Sequence, residues 1–380
     1  ISLTRSLVVL LIQTMRIVRA TGKFSAELKE FMCAAVQRRK DDDGLRGCGG
    51  GKSRNAMDLD SDAGNRLVCV TGGVSYLGRA IVKRLLVHGY SVRIVVDCPE
   101  DEEKVREMEA DAETSSFSNR ISSVVSKLTE AEGLVKAFDG CAGVFHTTAF
   151  VDPAGISGYS KSMAELEAKV SENVVEACTR TASVRKCVFT SSILACAWQD
   201  NSFNNFDHSV INEESWSDEQ LCIDNKLWYA LGKLKAEKAA WRIAETRGLK
   251  LATICPALIT GPDFFHRNST STLAYLKGAK EMYSNGLLAT IDVNRLAKAH
   301  VCLWEGLSNK TAFGRYVCFD TILSKDGAEK LAKDIGVQIE KICGSSDSNA
   351  SANAIADEEA YSPNLQISDK KLLDLMARTL

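Results

Sequence analysis

From Arg66 onward, short β-branched runs alternate with helical patterns. The run Leu67 to Val70 reads as a strand, Leu77 to His88 as a helix closed by Gly89, and Val92 to Val96 as a second strand, which together make a βαβ unit. The rhythm continues with a strand Ile121 to Val125, a helix near Ala131 to Phe138 and a strand Gly143 to His146. A long helix within Lys161 to Ala182, a strand Cys187 to Thr190, a helix from about Trp228 to Arg247 and a strand Leu251 to Cys255 complete it. Strands that alternate with helices imply a parallel sheet covered on both faces, because each crossover must pack its helix on the sheet. The predicted fold class is therefore α/β: a Rossmann-type, doubly wound parallel sheet over 66–255, followed by a smaller mixed C-terminal lobe over 256–343, where the simple alternation stops.

The flanks read differently. Residues 41–65 are rich in Asp, Gly, Lys, Ser and Asn and cannot bury apolar surface, so 1–65 is expected to be a disordered or basic leader and linker. Residues 1–40 carry eight Lys/Arg against two Glu, a pattern shared with transit-like and membrane-surface segments, and the chain opens on Ile1, which leaves its true beginning open. The apolar run Leu7 to Ile12 is far shorter than the roughly 20 residues of a membrane span, so none is expected. Gly344 to Ala352 reads as a flexible connection to a short helix, Lys370 to Arg378, making 344–380 a tail.

Composition narrows the function classes. With 47 Lys+Arg against 49 Asp+Glu in 380 residues, the chain lacks the charge of a nucleic-acid-coating protein. Thirteen cysteines, an odd count without a Cys-x-x-Cys, argue against a disulfide framework and fit reduced, buried thiols in the cytoplasm. The five histidines show no metal-ligand spacing, so no metal is expected.

Two patterns carry chemistry. After the first strand come Thr71, Gly72, Gly73, Val74, Ser75, Tyr76, Leu77 and Gly78, a tight turn that opens directly into a helix. Such a turn lets backbone amides approach a pyrophosphate while the helix dipole favours its charge. Asp97 ends the second strand, where a carboxylate can accept both adenosine ribose hydroxyls and would repel a 2′-phosphate; Arg93 could still turn towards one. The second pattern begins where the strand ending at Thr190 delivers Ser191 and Ser192 to the carboxyl edge of the sheet. Tyr229 and Lys233, four residues apart, share one face of a helix. A phenol near pKa 10 is a poor proton donor or acceptor at neutral pH, and a nearby cation lowers that value. Ser192 would hold a carbonyl oxygen, Tyr229 would supply the proton and a nicotinamide the hydride. His146 reads as a hydrogen-bonded structural histidine, and Trp216, Phe264, Phe265 and Tyr283 as lobe core rather than a ring pocket.

This ordered set resembles the extended short-chain dehydrogenase/reductases over roughly Arg66 to Cys343. Gly143-Val-Phe-His-Thr147, Glu214-Ser-Trp-Ser-Asp218, Trp228-Tyr229 and Ala236-Glu-Lys-Ala-Ala-Trp241 are similar to the plant cinnamoyl-CoA reductase and dihydroflavonol reductase branch. The resemblance implies Ser192, Tyr229 and Lys233 as the catalytic set. It implies cofactor contacts from Thr71, Gly72, Gly73, Ser75, Tyr76, Leu77, Gly78, Asp97, Lys127, Leu128, Thr147, Tyr229, Lys233 and Pro256, with Gly261-Pro262 turning beside the nicotinamide. Three cofactor positions depart from the family: Ser75 for a glycine, Asp97 for an arginine and Lys127 for an aspartate. NADP(H) follows from the resemblance, and NAD(H) from Asp97. The true cinnamoyl-CoA reductase signature Lys-Asn-Trp-Tyr-Cys-Tyr-Gly-Lys reads here Lys-Leu-Trp-Tyr-Ala-Leu-Gly-Lys over 226–233. The expected function is an NAD(P)H-dependent carbonyl reductase of a small aromatic substrate, a phenylpropanoid-type CoA thioester or aldehyde. The alternatives are a dihydroflavonol-like ketone or alcohol oxidoreductase and an NAD(P)-binding regulatory protein with little turnover.

Overall fold

The computed structural model describes residues 66–111, 113–148, 159–199, 210–344 and 365–379. The expected leader and linker, and the connection 345–364, lie outside the described residues. The first half of the chain runs β1 (Leu67–Thr71), α1 (Tyr76–Val87), β2 (Ser91–Val96), α2 (Pro99–Ala110), β3 (Ile121–Val125), α3 (Ala131–Phe138), β4 (Gly143–His146), α4 (Lys161–Arg180) and β5 (Lys186–Thr190). It continues with β6 (Val210–Ile211), α5 (Glu219–Asp224), α6 (Trp228–Arg247), β7 (Lys250–Pro256), β8 (Leu258–Thr260), α7 (Phe264–Tyr275), α8 (Ala279–Ser284), β9 (Ala289–Asp292) and α9 (Val293–Ser308). Last come β10 (Gly314–Cys318), β11 (Thr321–Ile322), α10 (Lys325–Ile335), α11 (Glu340–Cys343), β12 (Gln366–Ile367) and α12 (Lys370–Thr379).

Seven strands form one parallel sheet in the order β10-β7-β5-β4-β1-β2-β3. Side chains alternate between its faces. Cys69, Val144, Cys187 and Phe189 pack with Leu134 and Phe138 of α3, Val170 and Val174 of α4, and Ala236 and Ala240 of α6. Val68, Val70, Phe145 and Val188 face the other way, onto Ile81 and Leu85 of α1 and Leu296 and Trp304 of α9. With helices on both faces, β4 and β5 are buried along their whole length, which is why their central residues, Val144-Phe145 and Cys187-Val188-Phe189, are apolar without alternation.

The chain builds β1, β2 and β3 outward in one direction, then returns to lay β4 on the other side of β1. That reversal opens a crevice past the carboxyl ends of β1 and β4, the place where open α/β sheets take their ligands. The helices beside it start where the sequence supplies a cap. Ser75 accepts the Gly78 N–H to begin α1, and Ser160 accepts the Met163 N–H to begin α4.

The stretch expected to form the lobe also completes the sheet, because β10 lies parallel to the edge of β7. Between β7 and β10 the chain inserts β8, α7, α8 and β9 ahead of α9, and β9 pairs in parallel with β8 and antiparallel with β11, which follows β10. That insertion is what hides the last βαβ crossover from a periodicity reading. The tail helix α12 buries Leu372, Leu375 and Met376. No described helix is long and apolar enough to cross a membrane.

Candidate active site

The turn after β1 needs its glycines at particular points. Gly72 has φ +70, open to glycine without strain, and a Cβ on Gly78 would overlap the Gly72 carbonyl. A Cβ on Gly73 would sit 2.8 Å from Ile94 Cγ2, so this glycine lets β1 and β2 close up behind the turn. Ser75, in contrast, has φ −71 and needs no glycine; its hydroxyl serves as the helix cap. Tyr76 and Leu77, the first helical residues, line the cleft with N–H groups that the helix itself cannot satisfy. The Tyr76 hydroxyl donates to the Pro262 carbonyl at 3.1 Å, and Gly261, at φ +142, makes room for it.

One cleft gathers Ser75, Tyr76, Leu77, Thr147, Ser192, Tyr229, Lys233 and Pro256, residues drawn from the turn, from the ends of β4, β5 and β7, and from α6. Ser192 is buried, and its Oγ accepts the Leu194 N–H at 3.2 Å, leaving its own hydrogen to donate. Lys233 is buried with Nζ 5.8 Å from the centre of the Tyr229 ring. The cleft continues into an outer groove along Gly72, Ser75, Asp97, Leu128 and Thr148.

Some of the expected cofactor positions face elsewhere. Thr71 is wholly buried and its hydroxyl meets His146 Nδ1 at 2.7 Å, so it supports the turn from behind. Lys127 stands in solvent, 3.7 Å from Glu130, and it is the next residue, Leu128, that lines the groove. Arg93 donates to the carbonyls of Ala137 at 2.9 Å and Asp139 at 2.7 Å, away from the groove. Asp97 does line it and accepts the Leu128 N–H at 3.4 Å; burial raises its pKa above the usual value, against that hydrogen bond.

Thr148 was not among the expected residues. Its Oγ1 is buried with no partner among the described residues and borders the groove next to Gly72. An orphan hydroxyl facing a glycine turn and free helix amides suits a dinucleotide, which supplies the missing acceptors.

Beside Tyr229 opens a second, mostly apolar pocket of about 410 Å3, bordered by Tyr159, Leu194, Trp198, Leu227, Trp228 and Tyr275. Trp216, Phe264, Phe265 and Tyr283 do not line it. Phe264, Phe265 and Tyr283 belong to the core, and the Trp216 ring stacks on Arg315, with Cζ 3.5 Å from its centre. The pocket residues are scattered from 159 to 278 and share no local pattern.

The electrostatics of the pair on α6 differ from the simple expectation. Burial raises the Tyr229 pKa, the Lys233 ammonium lowers it and Glu167 raises it again, leaving it above the ordinary phenol value. Burial is the largest single effect and works against the Lys233 charge, but Glu167, 2.6 Å away, together with Tyr229 and Glu237 outweighs it and holds the lysine above its usual value. His146, expected to be structural, is held between Thr71 and Ser171, and burial followed by the charge of Lys233 lowers its pKa to about 3.

Residues 69–322 match the 3-beta hydroxysteroid dehydrogenase/isomerase family. The chain belongs to that family. It is 36% identical over 276 residues to cinnamoyl-CoA reductase 1 of Petunia hybrida, across 70% of this chain and 77% of that one. It is 31% identical over 265 residues to tetraketide alpha-pyrone reductase 1 of Arabidopsis thaliana, across 68% and 77%. Among solved structures its fold is similar to vestitone reductase of alfalfa, at 24% identity, TM-score 0.54 and 81% and 91% coverage. The yeast methylglyoxal/isovaleraldehyde reductase complexed with NADPH has the same fold at 20% identity, TM-score 0.58 and 82% and 93% coverage. This member of the family is thus an NAD(P)-dependent oxidoreductase on the extended short-chain dehydrogenase/reductase fold.

Proposed function

We propose that this oxidoreductase reduces the carbonyl of a small aromatic substrate, with Ser192, Tyr229 and Lys233 as its catalytic set. The observation that carries the reading is that these three line one cleft with the glycine turn, while Tyr229 also borders the apolar pocket. A bound nicotinamide supplies the hydride. The residues of the turn, with Asp97, Leu128, Thr147 and Thr148, would hold the dinucleotide along the groove. Ser192, its lone pair engaged by Leu194, donates to the carbonyl oxygen, and Tyr229 holds the proton at Oη that this oxygen takes up. A donor aimed at developing negative charge contributes about 3 kcal/mol in comparable sites. The apolar pocket keeps water from the reacting carbon and falls within the roughly 300–1,000 Å3 of small-molecule sites.

The relatives named cinnamoyl-CoA reductase make a phenylpropanoid thioester or aldehyde the first substrate to assay. A second reading, a ketone without CoA, rests on the pocket wall. Leu227 and Ala230, where the cinnamoyl-CoA reductase signature has Asn and Cys, both border the apolar pocket, so this wall offers fewer polar contacts.

We infer a preference for NAD(H) from the carboxylate of Asp97 in the groove: Arg93 and Lys127 are directed away, Lys104 is held by Asp101 at 2.6 Å and Arg79 by Glu107 at 3.5 Å, while Arg267 is a further cation that borders the groove. The test is a side-by-side assay of a hydroxycinnamoyl-CoA, the matching aldehyde and a dihydroflavonol with NADH and NADPH, on the wild type and on Tyr229→Phe. The variant is expected to bind nicotinamide normally and to lose about 10²–10⁴ in turnover. Near-normal turnover in the variant removes the mechanism. Dinucleotide binding without turnover of any substrate by the wild type points instead to a regulatory role.

A further inference from the structure

Behind Tyr229 and Lys233 lies an acid that neither motif contains. Glu167 projects from α4 and is 2% exposed. Its Oε1 is 2.6 Å from Lys233 Nζ, and its Oε2 accepts the Tyr159 hydroxyl at 2.7 Å. Tyr159 stands edge-on to the Tyr229 ring, with centroids 5.1 Å apart and planes at 83°. One carboxylate therefore grips both groups that flank the phenol. The helices come close enough for this because residue 232 is glycine: a Cβ there would lie 2.8 Å from Tyr159 Oη and 3.1 Å from Ala164 Cα.

Burying a carboxylate is costly unless it is paired and hydrogen-bonded, and even then an apolar residue often serves stability as well. Farther along, α4 and α6 meet through Val170, Val174 and Ala177 against Ala236, Ala240 and Ala244, so helix packing alone does not call for a charge. We propose that Glu167 is a positioning residue of the reductase site: it fixes Lys233 and Tyr159 around Tyr229 and offsets the lysine's charge at the phenol, keeping Tyr229 a proton donor. This rests on the reading of Tyr229 as the donor.

The other ionisable groups around the phenol leave that balance to Glu167 and Lys233. His146, at the end of β4, is uncharged at neutral pH, since burial and Lys233 lower its pKa to about 3. Tyr275 of α7 and Tyr159 are held protonated, chiefly by burial. Glu237, one turn beyond Lys233 on α6, also favours the lysine's charge, and its own carboxylate is paired with Arg315 at 2.8 Å.

The test follows the ionisation of Tyr229 by tyrosinate absorbance in the full chain, its share taken as the difference from the same protein carrying Tyr229→Phe. Glu167→Gln removes the anion and leaves the ammonium, so Tyr229 is expected to ionise about one pH unit lower or more. An unmoved or higher titration overturns the proposal. In the reduction assay, the basic limb of kcat/KM should move down by the same amount. The loss caused by Glu167→Gln, about tenfold or more in kcat, should vanish in a Lys233→Met background, whereas a purely structural residue would give additive losses. Tyr159→Phe keeps the Glu167–Lys233 pair, and it decides the matter if the glutamine variant fails to fold. A several-fold lower kcat at unchanged cofactor KM is expected, and wild-type kcat overturns the positioning role. Wild-type protein that turns over no carbonyl overturns the reductase reading instead, and the tyrosinate titration still decides the role of Glu167.

Discussion

At the residue scale, the proposed chemistry rests on single side chains at the ends of strands and on one face of α6. Asp97 is the clearest case, since it lines the groove proposed to hold the dinucleotide. Replacing it with arginine exchanges a repulsive for an attractive charge at a 2′-phosphate. Asp97→Arg is expected to raise the NADPH-to-NADH ratio of kcat/KM by about tenfold or more, equivalent to ~1.4 kcal/mol. Steady-state kinetics with both cofactors checks this, and an unchanged ratio would mean that the phosphate lies elsewhere. Ser75 shows the reverse: a departure from the family's glycine that alters nothing in the turn, because its backbone is extended and its hydroxyl closes the helix cap.

At the scale of elements, α6 carries Tyr229 and Lys233, and its height on the sheet decides where they point. A buried ion pair links the helix to the sheet. Glu237 receives Arg315 from β10 at 2.8 and 3.2 Å, the Ser191 hydroxyl at 2.6 Å and the Thr253 hydroxyl at 2.6 Å, tying the helix to the strands beneath it. Arg315 also donates to the carbonyls of Glu213 and Ser215 and stacks on Trp216, fastening the segment that leads into α5. Arg315→Met leaves a buried carboxylate without its cation, and stability is expected to fall by about 3–5 kcal/mol. Urea unfolding followed by tryptophan fluorescence measures it, and a loss below ~1 kcal/mol would show that the hydroxyls alone satisfy Glu237.

At the scale of the whole molecule, two buried imidazoles on different sides of the sheet predict a loss of stability in acid. Burial lowers the pKa of His146 to about 3 and that of His300 to about 4, the latter held by Thr190 at 2.8 Å and by the Leu296 carbonyl. Unfolded, both protonate near pH 6.5, so the unfolded chain binds more protons below that point and the folded state loses ground as pH falls. Together they should contribute a fall of about 2.7 kcal/mol per pH unit between roughly pH 6 and 4. Thermal melts across this range test the sign. His300→Asn should reduce the slope by about half, and an unchanged slope would assign the acid sensitivity to other groups.

The strands and helices of 66–255 and the glycine turn were legible in the chain because each is written in neighbouring residues, as a period of two or a period of 3.6, and Tyr229 and Lys233 share a fixed spacing along one helix. That Lys127 turns out of the groove while Leu128 stays in it, the buried Thr148 hydroxyl, β10 as the seventh strand and the walls of the apolar pocket were not. Each depends on which side of a loop faces inward, or on segments brought together across a long insertion. Glu167 is the sharpest instance. It lies 66 positions before Lys233 in an ordinary polar stretch of helix, and only the close approach of α4 to α6 at Gly232 turns it from one acid among many into the counter-charge of Lys233.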